Sequence, residues 1–315
     1  MKHVIGGVAA IGMVAGMQYC DAYKDVREFE VRRVQVDPSY DVQPRMMTVG
    51  NCGDERFDQI AEFLVVEHSA VCGSHTHPWA RDHFIDIGDR IMVPHSTMFR
   101  PFPENMLRAG TLYDVMEQAG VDAVGAPFWF EGGQVLATDE HVLLPEIFMD
   151  DYHTPFADEQ RVFDNILYIP NTVDGQMMMS GHLDMYVTPL NSDTMLVANV
   201  VELSQQDLDR LSETYGPVTN LLDDRYQDVF DATARMLSEH YTVERVPMGI
   251  ISNGDTLYVG YNNTIVSGDK LVVPSYGITL DDVVANQLKD YNVLHIDSRD
   301  WVQNNSGPHC QVNLY

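Results

Sequence analysis

At 315 residues, 45% of them hydrophobic, the chain is long enough for one large core or for two domains of ordinary size. Nineteen Lys and Arg stand against 47 Asp and Glu, a formal net charge of −28. That balance excludes a nucleic-acid binder, whose phosphate contacts need cations, and it disfavours docking on an anionic membrane surface. Cationic small molecules, by contrast, are drawn toward such a protein.

From the N-terminus, Lys2 and His3 precede the apolar run Val4–Met17, which has the outline of an export signal. Glycines dilute the run and no small-residue cleavage site follows it. The expectation is a cytoplasmic protein, or a secreted or periplasmic one if residues 1–20 act as a signal. No run of 18 uninterrupted apolar residues is present, so no membrane-spanning helix is expected. The four cysteines (Cys20, Cys52, Cys72 and Cys310) do not make a disulfide framework, and each is read as a candidate free thiol.

Further along, four segments share one pattern: an apolar strand, a polar turn, then a second apolar strand. They are Ile85–His95, Val135–Pro145, Val187–Asn199 and Ile265–Ser275. Gly88-Asp89 and Gly268-Asp269 are hairpin-turn dipeptides between β-branched and aliphatic runs. Helical stretches lie between the hairpins. Met106–Ala119 is amphipathic and stops at Gly120. Ser204-Gln-Gln-Asp207 approximates a capping box opening a helix that runs to Tyr215. Asp224–His240 reads as a long amphipathic helix, and Thr279 as the cap of Leu280–Asp290 before the strand Val293–Ile296. The unit is hairpin, helix, strand, repeated five times if the termini complete one unit. No linker interrupts the series, so a single domain over 1–315 is expected.

Repeats of this kind bring equivalent loops together at one end of a shared axis. Before the first hairpin stands Trp79-Ala-Arg-Asp82, before the second Phe130-Glu131-Gly-Gly133, before the third Gly181-His182-Leu-Asp184, and before the fourth Gly260-Tyr-Asn-Asn263. Ser306-Gly-Pro-His-Cys310 lies near the C-terminus. Asp82, Glu131, His182, Asp184 and Cys310 therefore occupy matching places and are expected to converge.

A thiolate is a competent nucleophile, and a histidine beside it serves as general acid and base. Three carboxylates around one thiol would hinder acyl transfer by raising the thiol pKa. They make sense when the substrate itself is cationic, and a planar guanidinium matches carboxylates through paired hydrogen bonds. Trp79, or Trp129 beside Glu131, suits stacking on the guanidinium plane. Arg81 or Arg100 would meet a carboxylate on the substrate, if it carries one. His75-Thr-His77 is the candidate metal pair, but no further ligand sits at a convincing spacing, so no metal is expected.

Trp79-Ala-Arg-Asp82, Glu131-Gly-Gly133, Gly181-His182-Leu-Asp184 and Gly307-Pro-His-Cys310 together resemble the motif series of the guanidino-group modifying enzymes, the pentein superfamily of deiminases, dihydrolases and amidinotransferases. Tyr261-Asn-Asn-Thr-Ile-Val266 with Leu271-Val-Val-Pro274-Ser-Tyr-Gly277 is most similar to the agmatine deiminase and bacterial peptidylarginine deiminase branch. The resemblance covers residues 75–315. Gln134 and Met185 stand where that branch commonly has Asn. The resemblance implies an α/β fold, a five-bladed pseudo-symmetric propeller of ββαβ units. It implies Cys310 as nucleophile, His182 as general acid/base, Asp82 and Asp184 gripping the guanidinium, and Glu131 binding it or relaying a proton. The expected reaction converts the guanidino group of arginine, agmatine or a related compound to a ureido group plus ammonia, through a Cys thiouronium intermediate and without a cofactor. The alternatives are an amidinotransferase and a non-catalytic pentein that binds its ligand. The expected partner is the small guanidino substrate, and a homo-oligomer is compatible with it.

Overall fold

A computed structural model of the chain describes residues 45–49, 53–72, 79–87, 90–94, 122–126, 130–149, 162–303 and 306–315, with isolated positions 38, 39, 41, 120 and 128. Residues 1–20, the helical stretch Met106–Ala119, the pair His75 and His77, Arg100 and Trp129 lie outside the described residues.

In chain order, β1 (Arg45–Val49) leads through α1 (Glu55–Leu64) to β2 (Glu67–Val71), which runs parallel to β1. Asp54 caps α1 by accepting the Arg56 N–H, and the helix buries Phe57, Ile60, Ala61 and Leu64 along one face. The second sheet pairs β3 (Ile85–Asp86) antiparallel with β4 (Arg90–Val93), and β4 parallel with β5 (Asp122–Gly125). The third repeats this with β6 (Leu136–Ala137), β7 (Val142–Pro145) and β8 (Ile166–Ile169). A two-stranded hairpin follows, β9 (Thr172–Val173) and β10 (Gln176–Met177).

The fourth sheet is larger. β11 (Val187–Pro189) pairs antiparallel with β12 (Thr194–Val200). Two helices, α2 (Gln205–Tyr215) and α3 (Asp224–Leu237), flank β13 (Thr219–Asn220) before β14 (Thr242–Ser252) returns parallel to β12. β13 and β15 (Thr256–Gly260) both add to β14 antiparallel. This insertion explains why the third and fourth hairpins stand farther apart in sequence than the others. The fifth sheet comprises β16 (Ile265–Ser267), β17 (Lys270–Ser275), α4 (Thr279–Gln287) and β18 (Asn292–Asp297), again antiparallel then parallel. Short helices α5 (Arg299–Val302) and α6 (Pro308–Gln311) lead to β19 (Val312–Leu314), which pairs antiparallel with β1. The first sheet thus takes its antiparallel partner, β19, from the C-terminal region.

Apolar faces meet between sheets. Met47, Val49, Ile91 and Val93 join the first sheet to the second. Ile85, Met92, Ala137 and Leu144 join the second to the third. Leu136, Leu143, Val187, Val197 and the α3 residues Phe230 and Leu237 join the third to the fourth. Leu196 and Val246 meet Val266 and Leu271 of the fifth. Met46 and Val312 meet Ile265 and Val272, returning from the fifth sheet to the first.

Two local expectations need correction. Thr279 does not cap α4; it is the first helical residue, and its hydroxyl donates to Asp207 Oδ2 of α2 at 2.6 Å. The loose N–H groups there are met instead by Asp281, whose carboxylate accepts from Tyr276, Gly277 and Ile278. A buried carboxylate on the neighbouring helix outcompetes the local cap. Cys72 is disulfide-bonded, so Cys310 is the free thiol among the described residues.

Candidate active site

Each sheet begins just after a chemically loaded turn. Asp82 lies in the 3₁₀ turn Ala80–His83 ahead of β3, and Glu131 opens the turn Gly132–Gln134 ahead of β6. His182 links two 3₁₀ turns, the second of which carries Asp184 into β11. Cys310 sits in α6, immediately ahead of β19. The Glu131 turn is fixed by its own backbone N–H donating to Gln134 Oε1 at 3.0 Å. Gly133 is required by close approach: a Cβ there would lie 2.6 Å from His182 Nδ1 and 2.9 Å from Asp184 Oδ1.

The structure brings the expected residues together. His182 Nε2 lies 2.8 Å from Glu131 Oε2 and 4.0 Å from Asp82 Oδ1, while its Nδ1 lies 3.9 Å from Asp184 Oδ1. Cys310 Sγ is 3.7 Å from Asp184 Oδ2. Ligand atoms of His182, Asp184 and Cys310 fall within 4.8 Å of one another, as do those of Asp82, Glu131 and His182. Asp82, Glu131, Asp184 and Cys310 are all buried. Trp79 is partly buried and packs against the large apolar cluster that includes Met185 and Cys310.

Electrostatics decide the protonation states. Burial disfavours a charged His182, but Asp82, Cys310 and Glu131 overcome it and hold the imidazole well above its ordinary value. Burial also opposes ionisation of Asp184, yet hydrogen bonding and charge from His309, with the charges of His182 and Arg81, keep it below the usual carboxylate range. The Cys310 thiol is pushed up to about 11, first by burial and then by the Asp184 charge, against the pull of His182. Three carboxyl groups thus face His182 and Arg81, while burial and the Arg81 charge hold His309, beside Asp184, below its ordinary value. The Asp184 Oδ1 oxygen is buried and has no hydrogen-bond partner among the described residues.

Arg81 is not aimed outward. Its terminal nitrogens donate to Asn313 Oδ1 at 3.2 Å and to the Val135 carbonyl at 3.3 Å. Burial lowers its pKa, while Asp184 and Asp82 oppose that shift, so it acts as a counter-charge behind the carboxylates. Two residues were not singled out by the sequence. His309 Nδ1 lies 2.8 Å from Asp184 Oδ2. Asn263, in the turn ahead of β16, donates from Nδ2 to Cys310 Sγ at 3.0 Å. The signal for Asn263 was its place: it precedes the fourth hairpin as Asp82 precedes the first.

No protein-family model matches the sequence, and no curated protein matches it. Solved structures do. A cysteine-to-serine variant of C. jejuni agmatine deiminase with substrate bound superposes with a TM-score of 0.67 at 13% identity, over 91% of this chain and 97% of that one. Agmatine deiminase of Enterococcus faecalis gives 0.63 at 13%, over 89% and 95%. The amidinotransferase SxtG from Microseira wollei gives 0.56 at 12%, over 89% and 96%. At these identities the likeness speaks to architecture. The chain has the fold of the guanidino-group modifying enzymes, the pentein superfamily.

Proposed function

We propose that the protein is a guanidino-group hydrolase whose single catalytic domain is a five-bladed propeller, each sheet a blade and each loaded turn a contribution to one central site. The five interfaces between neighbouring sheets, including the return from fifth to first, support that architecture. The observation that carries the activity is the buried Asp184 Oδ1 beside Cys310, which accepts no hydrogen bond among the described residues, in a site lined by three carboxyl groups. A guanidinium supplies both the missing donors and a positive charge.

In this reading Asp82 and Asp184 hold the guanidinium and Trp79 covers it. Binding of the cation lowers the pKa of Cys310, the thiol proton is lost to solvent, and the thiolate adds to the guanidinium carbon. The C–N bond to one amino group then breaks, and that nitrogen leaves as ammonia with the proton that His182 held. The carbon remains bound to sulfur as a thiouronium. A water gives a proton to His182 and adds to that carbon as hydroxide, the C–S bond breaks to restore the thiolate, and the hydroxyl proton of the adduct passes to solvent as the ureido product leaves. Glu131 keeps His182 charged and oriented for both transfers. That the C. jejuni agmatine deiminase holds its substrate when a cysteine is replaced by serine fits this assignment.

The test is a panel of guanidino compounds, agmatine and arginine first, assayed for ammonia with each ureido product identified by mass. Ammonia released in step with a ureido product is the expected result. Turnover that needs an added amine and releases no ammonia would make the protein an amidinotransferase, the activity named for SxtG, whose fold it shares. No turnover of any panel member would overturn both.

A further inference from the structure

Asn263 is 2% exposed and belongs to no step described above. Its side chain faces α6 at two points. Oδ1 accepts the backbone N–H of Cys310 at 3.1 Å, and Nδ2 donates to the Cys310 sulfur at 3.0 Å. The remaining Nδ2 hydrogen has Met185 Sδ at 3.4 Å and the Asp184 carbonyl at 3.5 Å. The first contact settles the orientation of the amide. A backbone N–H can only donate, so the oxygen must face it, and the amino group is left pointing at sulfur. The turn before α6 is shaped around this side chain: a Cβ at Gly307 would lie 2.7 Å from Asn263 Oδ1.

We infer that Asn263 is a positioning residue for the nucleophile: one amide fixes both the backbone and the sulfur of Cys310, and presents an uncharged N–H donor to the thiolate. The inference rests on the proposed role of Cys310. The titratable and charged groups that face this sulfur are Asp184 and His182 from the turns before β11, Asp82 and Arg81 from the turn before β3, neighbouring His309, and Tyr276 after β17. Asp184 and Asp82 disfavour the thiolate, and the help given by His182 disappears once it loses its proton. The amide donor persists at every pH in the working range, so part of the thiolate stabilisation is independent of the histidine.

The experiment is the pH dependence of Cys310 alkylation by iodoacetamide, read by peptide mass on purified wild type, Asn263→Asp and Asn263→Ala. Asn263→Asp is isosteric and keeps an acceptor for the Cys310 N–H, but turns an oxygen toward sulfur. Asn263→Ala removes both contacts. Each variant is expected to alkylate about tenfold more slowly near neutral pH, the Asp variant more so, with the difference closing at the alkaline limit, as follows from losing a hydrogen bond to a charged group. Thermal melts accompany the kinetics. If either folded variant keeps the wild-type pH profile, whether or not its Tm falls, Asn263 is merely structural and the inference fails. Turnover is a separate readout. A displaced profile in a protein that releases no ammonia defeats the proposed function and leaves this inference standing; an unchanged profile in an active deiminase does the reverse.

Discussion

Burial and the Asp184 carboxylate hold the Cys310 thiol near 11, so the free protein carries mostly thiol at neutral pH. Iodoacetamide should therefore react with Cys310 at a rate that is still climbing through pH 11 and levels only above it; a plateau below pH 7 would show a thiolate already present without substrate. Cys310→Ser should abolish turnover, since the other described cysteine is tied in a disulfide. Asp184→Asn turns a donor toward the donors of the guanidinium and removes one side of a buried charge pair. That change should cost about 3–5 kcal/mol, a loss of a hundredfold or more in kcat/KM. His182 gives a stability signature. Its folded value is raised, so the stabilisation from its carboxylate neighbours is fully present below the unfolded value near 6.5 and fades as pH rises through the folded value. Tm should fall over that alkaline interval in the wild type, and the slope should flatten in His182→Gln.

The turns carry the chemistry and the strands carry the turns. Gly133→Ala would drive a methyl group against the His182 ring and the buried Asp184 carboxylate. Activity should drop sharply while circular dichroism stays near wild type; full activity would mean the turn relaxes. Much of this level was legible in the sequence. Asp82, Glu131, His182, Asp184 and Cys310 each stand just ahead of an alternating apolar run, and the repeat equates their positions. What was not legible depends on partners distant in sequence. Asn263 looks like an ordinary turn former until its amide is seen against Cys310. Arg81 looks like a free cation until Asn313 and the Val135 carbonyl take its nitrogens. Thr279 reads as a cap because the sequence cannot show the Asp207 carboxylate that draws its hydroxyl away.

At the scale of the molecule, the net charge of −28 is a field that gathers cations. For a guanidinium substrate KM should rise with added salt while kcat changes little, because screening weakens attraction over a Debye length of about 10 Å at 0.1 M. Salt-independent KM would confine the effect to the site itself. Five repeated sheets were foreseeable from the hairpins; the enlarged fourth sheet was not, since nothing in the strand pattern of Thr242–Ser252 announces that β13 and β15 will both join it.

The antiparallel pairing of β1 with β19 sets Met46 opposite Leu314. Joining positions so remote in the chain demands loop closure that local contacts cannot supply, and such pairings form late and slowly. Because α6 leads directly into β19, Cys310 is expected to stay accessible until that seam closes. In refolding from denaturant with the disulfide intact, helical signal should return first and thiol protection last. A pulse of iodoacetamide at successive times would show the lag, and the interval it measures is the time during which the chain has most of its structure and none of its chemistry.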